Sequence, residues 1–144
     1  MALLHTEITI SATPEKVWSV FSDFASYPEW NPFVIRLEGE VAPGNTIAIQ
    51  LQPPNGKQMG FRPKVLKYEA AKELRWKGRL LMPGIFDGEH FFQLEALPDG
   101  STKFIQGEKF SGMLVPFLKK MLTDTGQGFN SLNQALKKRV EAAL

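Results

Sequence analysis

A change in the apolar period near residue 112 constrains this chain more than any other feature. Before it, from Phe33 to Ser111, apolar and polar residues alternate in short runs broken by turn residues. After it, Leu114, Leu118, Met121, Leu122, Thr125, Phe129, Leu132, Leu136 and Val140 recur every three or four residues. Alternation marks half-buried strands, and the three–four spacing marks one face of a helix. The runs predict strands over 34–41, 46–51, 59–69, 73–80, 88–96 and 102–111. Between them stand Pro43-Gly44-Asn45, Pro53-Pro54-Asn55-Gly56, Ala70-Ala71-Lys72, Pro83-Gly84 and Pro98-Asp99-Gly100. Connections this short join only antiparallel neighbours, so the strands form a meander. The closing helix, residues 116–143, is roughly 40 Å long at ~1.5 Å per residue. Gly126 and Gly128 fall in its middle, each costing about 1 kcal/mol relative to Ala. Either the helix bends there or something approaches its backbone closely.

The N-terminal residues add a further strand, with Leu4, Thr6, Ile8 and Ile10 alternating with His5, Glu7 and Thr9. Thr13-Pro14-Glu15 then opens a helix: Thr13 caps, Pro14 suits the first helical position and Glu15 complements the positive end. Val17, Trp18, Val20 and Phe21 form its apolar side, and a second short helical turn is expected over 22–26. Tyr27-Pro28-Glu29-Trp30-Asn31-Pro32 breaks the pattern. At 144 residues the whole is expected to be a single α+β domain, residues 1–144.

Several function classes lose support from composition. With no cysteine, disulfides, thiol nucleophiles and thiolate metal sites are excluded. The net charge is +2 and its cations are scattered among acids, which argues against a nucleic-acid footprint. No apolar run approaches membrane-spanning length, and the start, MALLHTEITI, lacks the charged region of a signal peptide. A cytoplasmic protein is therefore the expectation. His5 and His90 fall on different strands without ligand spacing, and no phosphate-binding or dinucleotide fingerprint occurs. Neither a metal nor another cofactor is expected. A chain with 11 Phe and 3 Trp has ample aromatic surface for a core or a pocket.

The last two strands define a register. Centring the turn on Pro98-Asp99-Gly100 sets Leu94 opposite Phe104, Phe92 opposite Gln106 and His90 opposite Glu108. The other face then pairs Glu95 with Lys103, Phe91 with Gly107 and Glu89 with Lys109, as a solvent-facing ladder favours. Arg75, Lys77 and Arg79 supply a basic wet face beside it. The inner face carries Trp76, Phe92, Leu94, Phe104 and Phe110, together with His90, Gln106 and Glu108. Polar groups under a helix need partners. Either His90 and Glu108 satisfy each other, or they face a partly wet cavity and orient the polar end of a ligand. Trp30 has two readings as well, core anchor or binding residue.

The element order resembles the helix-grip fold of the START-related, birch-pollen-allergen-like (SRPBCC) superfamily. The segments Ile10-Ser11-Ala12-Thr13-Pro14-Glu15-Lys16-Val17-Trp18, Tyr27-Pro28-Glu29-Trp30-Asn31-Pro32, Gly88-Glu89-His90, Phe110-Ser111-Gly112 and Gly126-Gln127-Gly128-Phe129 are most similar to its polyketide cyclase/dehydrase-like branch. The resemblance implies a seven-stranded curved antiparallel sheet wrapped around the long C-terminal helix, with two short helices between strands 1 and 2. It also implies an apolar cavity between sheet and helix. Residue by residue, Tyr27 to Pro32, including Trp30, would shape a rim. Trp76, His90, Phe92, Gln106 and Glu108 would line the sheet wall, and Met121, Leu122, Thr125 and Phe129 the helical lid. The expected function is a binding or carrier protein for a small apolar molecule, such as a lipid or polyketide, since no motif singles out catalysis. The alternatives are a cyclase/dehydrase-type enzyme with His90 or Glu108 as acid–base, and a regulatory protein-interaction module.

Overall fold

The first strand, β1 (Ala2–Ile10), sends Leu4, Thr6, Ile8 and Ile10 inward while Leu3 stands 58% exposed. In the computed structural model, which describes residues 2–80 and 86–143, it leads into helix α1 (Pro14–Phe21). Thr13 Oγ1 accepts from the Lys16 amide at 3.3 Å, and Val17, Trp18 and Phe21 are buried. A 3-10 turn (Phe24–Ser26) and helix α2 (Tyr27–Trp30) follow. The Tyr27–Trp30 segment, expected to be irregular, is thus helical, because its proline sits in the first turn where no amide is needed. Asn31 ends it, its side-chain oxygen accepting from the amides of Phe33 at 3.0 Å and Val34 at 2.9 Å.

The remaining strands are β2 (Val34–Glu38), β3 (Ala48–Leu51), β4 (Met59–Phe61), β5 (Lys64–Glu69), β6 (Glu73–Leu80), β7 (Phe86–Ala96) and β8 (Thr102–Ser111). They form two antiparallel sheets among the described residues, of order β1-β8-β7-β6-β5 and β2-β3-β4. The expectation of one seven-stranded sheet is corrected at Pro63. Without an amide hydrogen, this proline splits the predicted 59–69 strand into β4 and β5. The sheets stay joined at one seam. There the Ile47 amide donates to the Pro63 carbonyl at 3.0 Å, and the Val65 amide to that of Asn45 at 2.8 Å. Beyond the seam β3 and β4 diverge from β5. The predicted Pro83-Gly84 turn lies outside the described residues.

β7 and β8 pair in the expected register, with His90 opposite Glu108, Phe92 opposite Gln106 and Leu94 opposite Phe104. The outer face departs from a simple ladder of charge pairs. Glu89 takes Arg75 at 2.6 Å, and Lys103 reaches Glu7 at 3.7 Å. Phe91, expected to be wet, is 6% exposed. One side of its ring lies on Gly107, and the Arg75 guanidinium sits 5.0 Å from its centroid. Glycine leaves room for an aromatic neighbour, and the cation covers it.

Helix α3 (Lys119–Ala142) starts three residues later than predicted, after a 3-10 turn (Val115–Phe117). Its second half buries Phe129, Leu132, Leu136 and Val140 in the main core with Phe21, Phe92 and Phe104. The two central glycines differ in role. The Phe33 ring lies directly on Gly128, where a Cβ would overlap it, whereas a Cβ on Gly126 would meet only Leu4 Cδ2 at 3.9 Å. Gly126→Ala is therefore expected to stabilise the protein by up to about 1 kcal/mol. Gly128→Ala gains the same propensity but displaces a buried ring, at a cost of ~1–3 kcal/mol, so a net loss of about 1 kcal/mol is expected. Urea unfolding midpoints of the two variants should move in opposite directions.

Candidate functional site

Because β3 and β4 diverge from the large sheet, the first half of α3 cannot close the interior as the second half does. A cavity of about 130 Å³ remains. Ile49, Leu51, Met59 and Phe61 from the small sheet form one wall, and Trp76, Gly78, Gly88, His90, Glu108 and Phe110 from the large sheet form another. Met121 and Thr125 of α3 overhang it, with Phe33, Pro53 and Pro63 completing the lining. His90 and Glu108 are the ionisable groups among these residues.

His90 is placed by strand pairing between Trp76 on β6 and Glu108 on β8. Its ring is 4% exposed, stacked on Phe92 with centroids 4.4 Å apart and tilted against Phe129 at 4.6 Å. Nε2 lies 2.9 Å from the side-chain oxygen of Gln106. The Gln106 amide nitrogen donates to Asn133 Oδ1 at 2.7 Å and to the Phe129 carbonyl at 3.2 Å. Asn133 in turn donates to Thr6 Oγ1 at 2.8 Å, and that hydroxyl donates to the Gln106 carbonyl at 2.7 Å. Since the Gln106 amide donors go to α3, its oxygen must accept, and His90 Nε2 carries the proton. The lone pair on Nδ1 then faces Glu108 Oε1 at 3.6 Å.

Glu108 has a side chain 16% exposed, and it lies over Gly88, where a Cβ would overlap its Oε2. Burial pushes its carboxyl up to about 8. Burial also pulls the His90 imidazole down to about 3, with the hydrogen bond it donates to Gln106 offsetting only part of the effect. At neutral pH both groups are uncharged despite their proximity, because two ions in this apolar surround would lose more solvation than their attraction returns. The arrangement is a neutral carboxylic acid at the wall of an apolar chamber, backed by a neutral imidazole in a defined tautomer. It can donate one hydrogen bond or one proton.

Trp76, His90, Glu108, Met121 and Thr125, of the residues singled out from sequence, meet at the cavity. Phe92, Gln106 and Phe129 stand behind it, holding the His90 ring. Leu122 packs on the separate cluster of Phe110 and Val115. Trp30 packs on Tyr27, with centroids 5.3 Å apart, and is not among the lining residues. Sequence reasoning missed the wall from the small sheet, because the faces of 59–69 depend on the break at Pro63. Gly78 and Gly88 carried a usable signal: glycines inside a strand mark a close approach or a space left open.

The two shifts set a pH profile. From pH 6.5 to about 8 the folded protein holds the Glu108 proton that the unfolded chain releases, so stability falls as pH rises. From 4.5 down to about 3 the unfolded chain binds a proton on His90 that the folded protein refuses, so stability falls as pH drops. Between 4.5 and 6.5 the two contributions oppose and cancel. The slope on each limb approaches ~1.4 kcal/mol per pH unit. Glu108→Gln is expected to remove the alkaline limb and, with the cancellation lost, to extend the acid limb up to 6.5, read from urea midpoints across the range. A parent protein without the alkaline limb would contradict the assignment.

The family model for polyketide cyclase / dehydrase and lipid transport proteins matches residues 1–141. No curated protein matches the chain by sequence. Among solved structures, the aromatase/cyclase Zhui from Streptomyces sp. R1128 is similar with TM-score 0.78 and 12% identity, over 97% of this chain and 93% of that one. A START superfamily protein from Mycobacterium smegmatis gives 0.75 and 21%, over 99% of both chains. Ara h 8.0201 gives 0.73 and 18%, over 98% of both. Identities this low speak for the fold alone. The solved structures share its fold, and with the family model spanning almost its full length, the chain belongs to the polyketide cyclase / dehydrase and lipid transport family.

Proposed function

We propose that the protein binds a small, uncharged apolar molecule in this cavity, with a carbonyl or hydroxyl oxygen of the ligand accepting from Glu108. The observation that carries the reading is one carboxylic acid held protonated among apolar walls. Apolar lining with a few convergent polar groups is the usual composition of a ligand pocket. A space of this size takes about one aromatic ring, so a larger ligand would leave the rest of its body toward the mouth, where Met59 is 40% exposed. Trp76, Met121, Thr125 and Phe110 supply the contact surface; Gln106, Phe92 and Phe129 act through His90.

A second reading is favoured by the same acid. Cyclase or dehydrase chemistry needs a proton delivered to a carbonyl oxygen or a departing hydroxyl, and a group titrating near 8 is suited to that transfer at neutral pH. His90 Nδ1 would stabilise the carboxyl proton between turnovers. The aromatase/cyclase Zhui lends this reading its reaction class. Turnover of a poly-β-carbonyl compound, abolished by Glu108→Gln while binding persists, is its requirement.

The test of binding uses the open glycine. A Cβ at Gly78 meets only Pro63 Cβ, at 4.0 Å, so Gly78→Leu is expected to fill the cavity with little strain. Affinity for an uncharged environment-sensitive probe such as Nile red should drop at least about tenfold, as lost burial of one ring-sized group implies, with the thermal midpoint little changed. Unaltered probe binding in that variant would remove the cavity as the binding site.

A further inference from the structure

We propose that residues 112–120, the link between β8 and α3 with the first two residues of α3, form a docking surface for a membrane carrying anionic lipid. Two apolar side chains project there largely uncovered by the described residues: Phe117 is 80% exposed and Met113 69%. They are the two most exposed large apolar residues described. Their neighbours in the segment are packed. Val115 and Leu118, from the same segment, pack with Phe110, Met121 and Leu122 into a small separate cluster. The segment is therefore a wedge packed on its inner side, with its apolar tips outward.

Charge selects the partner. Positions 109–123 contain Lys109, Lys119 and Lys120 and no Asp or Glu. Lys120 is 86% exposed in its side chain, and the first acid of the helix, Asp124, lies one turn on at 3.6 Å from it. Apolar tips flanked by lysines suit a bilayer interface, where the tips enter the acyl boundary and the ammonium groups stay among anionic headgroups. A protein partner matched to this surface would need an apolar pocket ringed by acids; a lipid surface needs only its ordinary composition. The site adjoins the cavity through Phe110 and Met121, which belong both to the wedge's cluster and to the cavity lining. Docking would thus hold that side of the cavity near the bilayer. The inference goes beyond the ligand-binding reading and stands if the cavity proves to hold nothing.

Co-flotation of the full chain with vesicles tests it. Vesicles of phosphatidylcholine mixed with phosphatidylglycerol are expected to carry the protein upward, and pure phosphatidylcholine vesicles much less, with retention falling as salt rises. Phe117→Ser should weaken retention at least about tenfold, and Lys119→Ser and Lys120→Ser about fivefold each. Leu66→Ser, at an apolar residue of β5 that is 41% exposed, should change nothing. Absence of retention on both vesicle types, or equal retention of the parent and Phe117→Ser, would overturn the proposal. So would a dimer in solution that Phe117→Ser dissolves, since the wedge would then belong to a second copy.

Discussion

The amide of Gln106 holds sheet and helix together at the point where the site begins. It is fully buried in the sheet, and its nitrogen donates to Asn133 and to the Phe129 carbonyl on α3. A buried amide left unpaired costs several kcal/mol, so the helix cannot rotate or slide without losing those bonds. The same side chain fixes the imidazole tautomer, and through it the face that His90 turns toward Glu108. Placement of the long helix and chemistry of the cavity are therefore consequences of one network.

Space divides along α3. Its second half lies over Phe21, Phe92 and Phe104 and is packed solid, with Leu132, Leu136 and Val140 at most 1% exposed. The first half passes over the region where the small sheet has left the large one. Glycines at 78 and 88 face each other there, and only Pro63 comes within ordinary contact of a Cβ at the former. Closing that space would require a larger side chain at Gly78, since the Glu108 carboxyl already lies over Gly88. The gap is therefore a property of the residues present and not of poor packing elsewhere in the core.

Neutrality of the His90–Glu108 pair gives the site its character. An ion pair would favour a charged or strongly dipolar guest, whereas a protonated acid favours an oxygen acceptor on an otherwise apolar body. The outer face shows the opposite regime. Arg75 there is 19% exposed in its side chain, reaches Glu73 at 2.7 Å and Glu89 at 2.6 Å, and remains charged at the sheet surface. Strands of one sheet thus present charged groups to water and an uncharged acid to the interior, separated only by the alternation of the chain.

Much of this was legible in the residues themselves, because strand alternation and helical spacing are local properties. The β7–β8 register followed from inner apolar pairs and outer opposite charges, although Glu89 and Lys103 then chose partners on other strands. The inward direction of His90, Gln106 and Glu108 followed from that register. The division into two sheets did not, since it depends on a single proline that can accept from a neighbouring amide but donate to no carbonyl. Nor did the protonation of Glu108, which is set by how much solvent its surroundings exclude. Gly128 was visible as an anomaly, but its cause, the Phe33 ring, lies 95 residues away in sequence. Periodicity by itself determined which face each residue takes, being a matter of backbone geometry; which faces leave room between them was decided by the tertiary structure, because volume is shared among distant side chains.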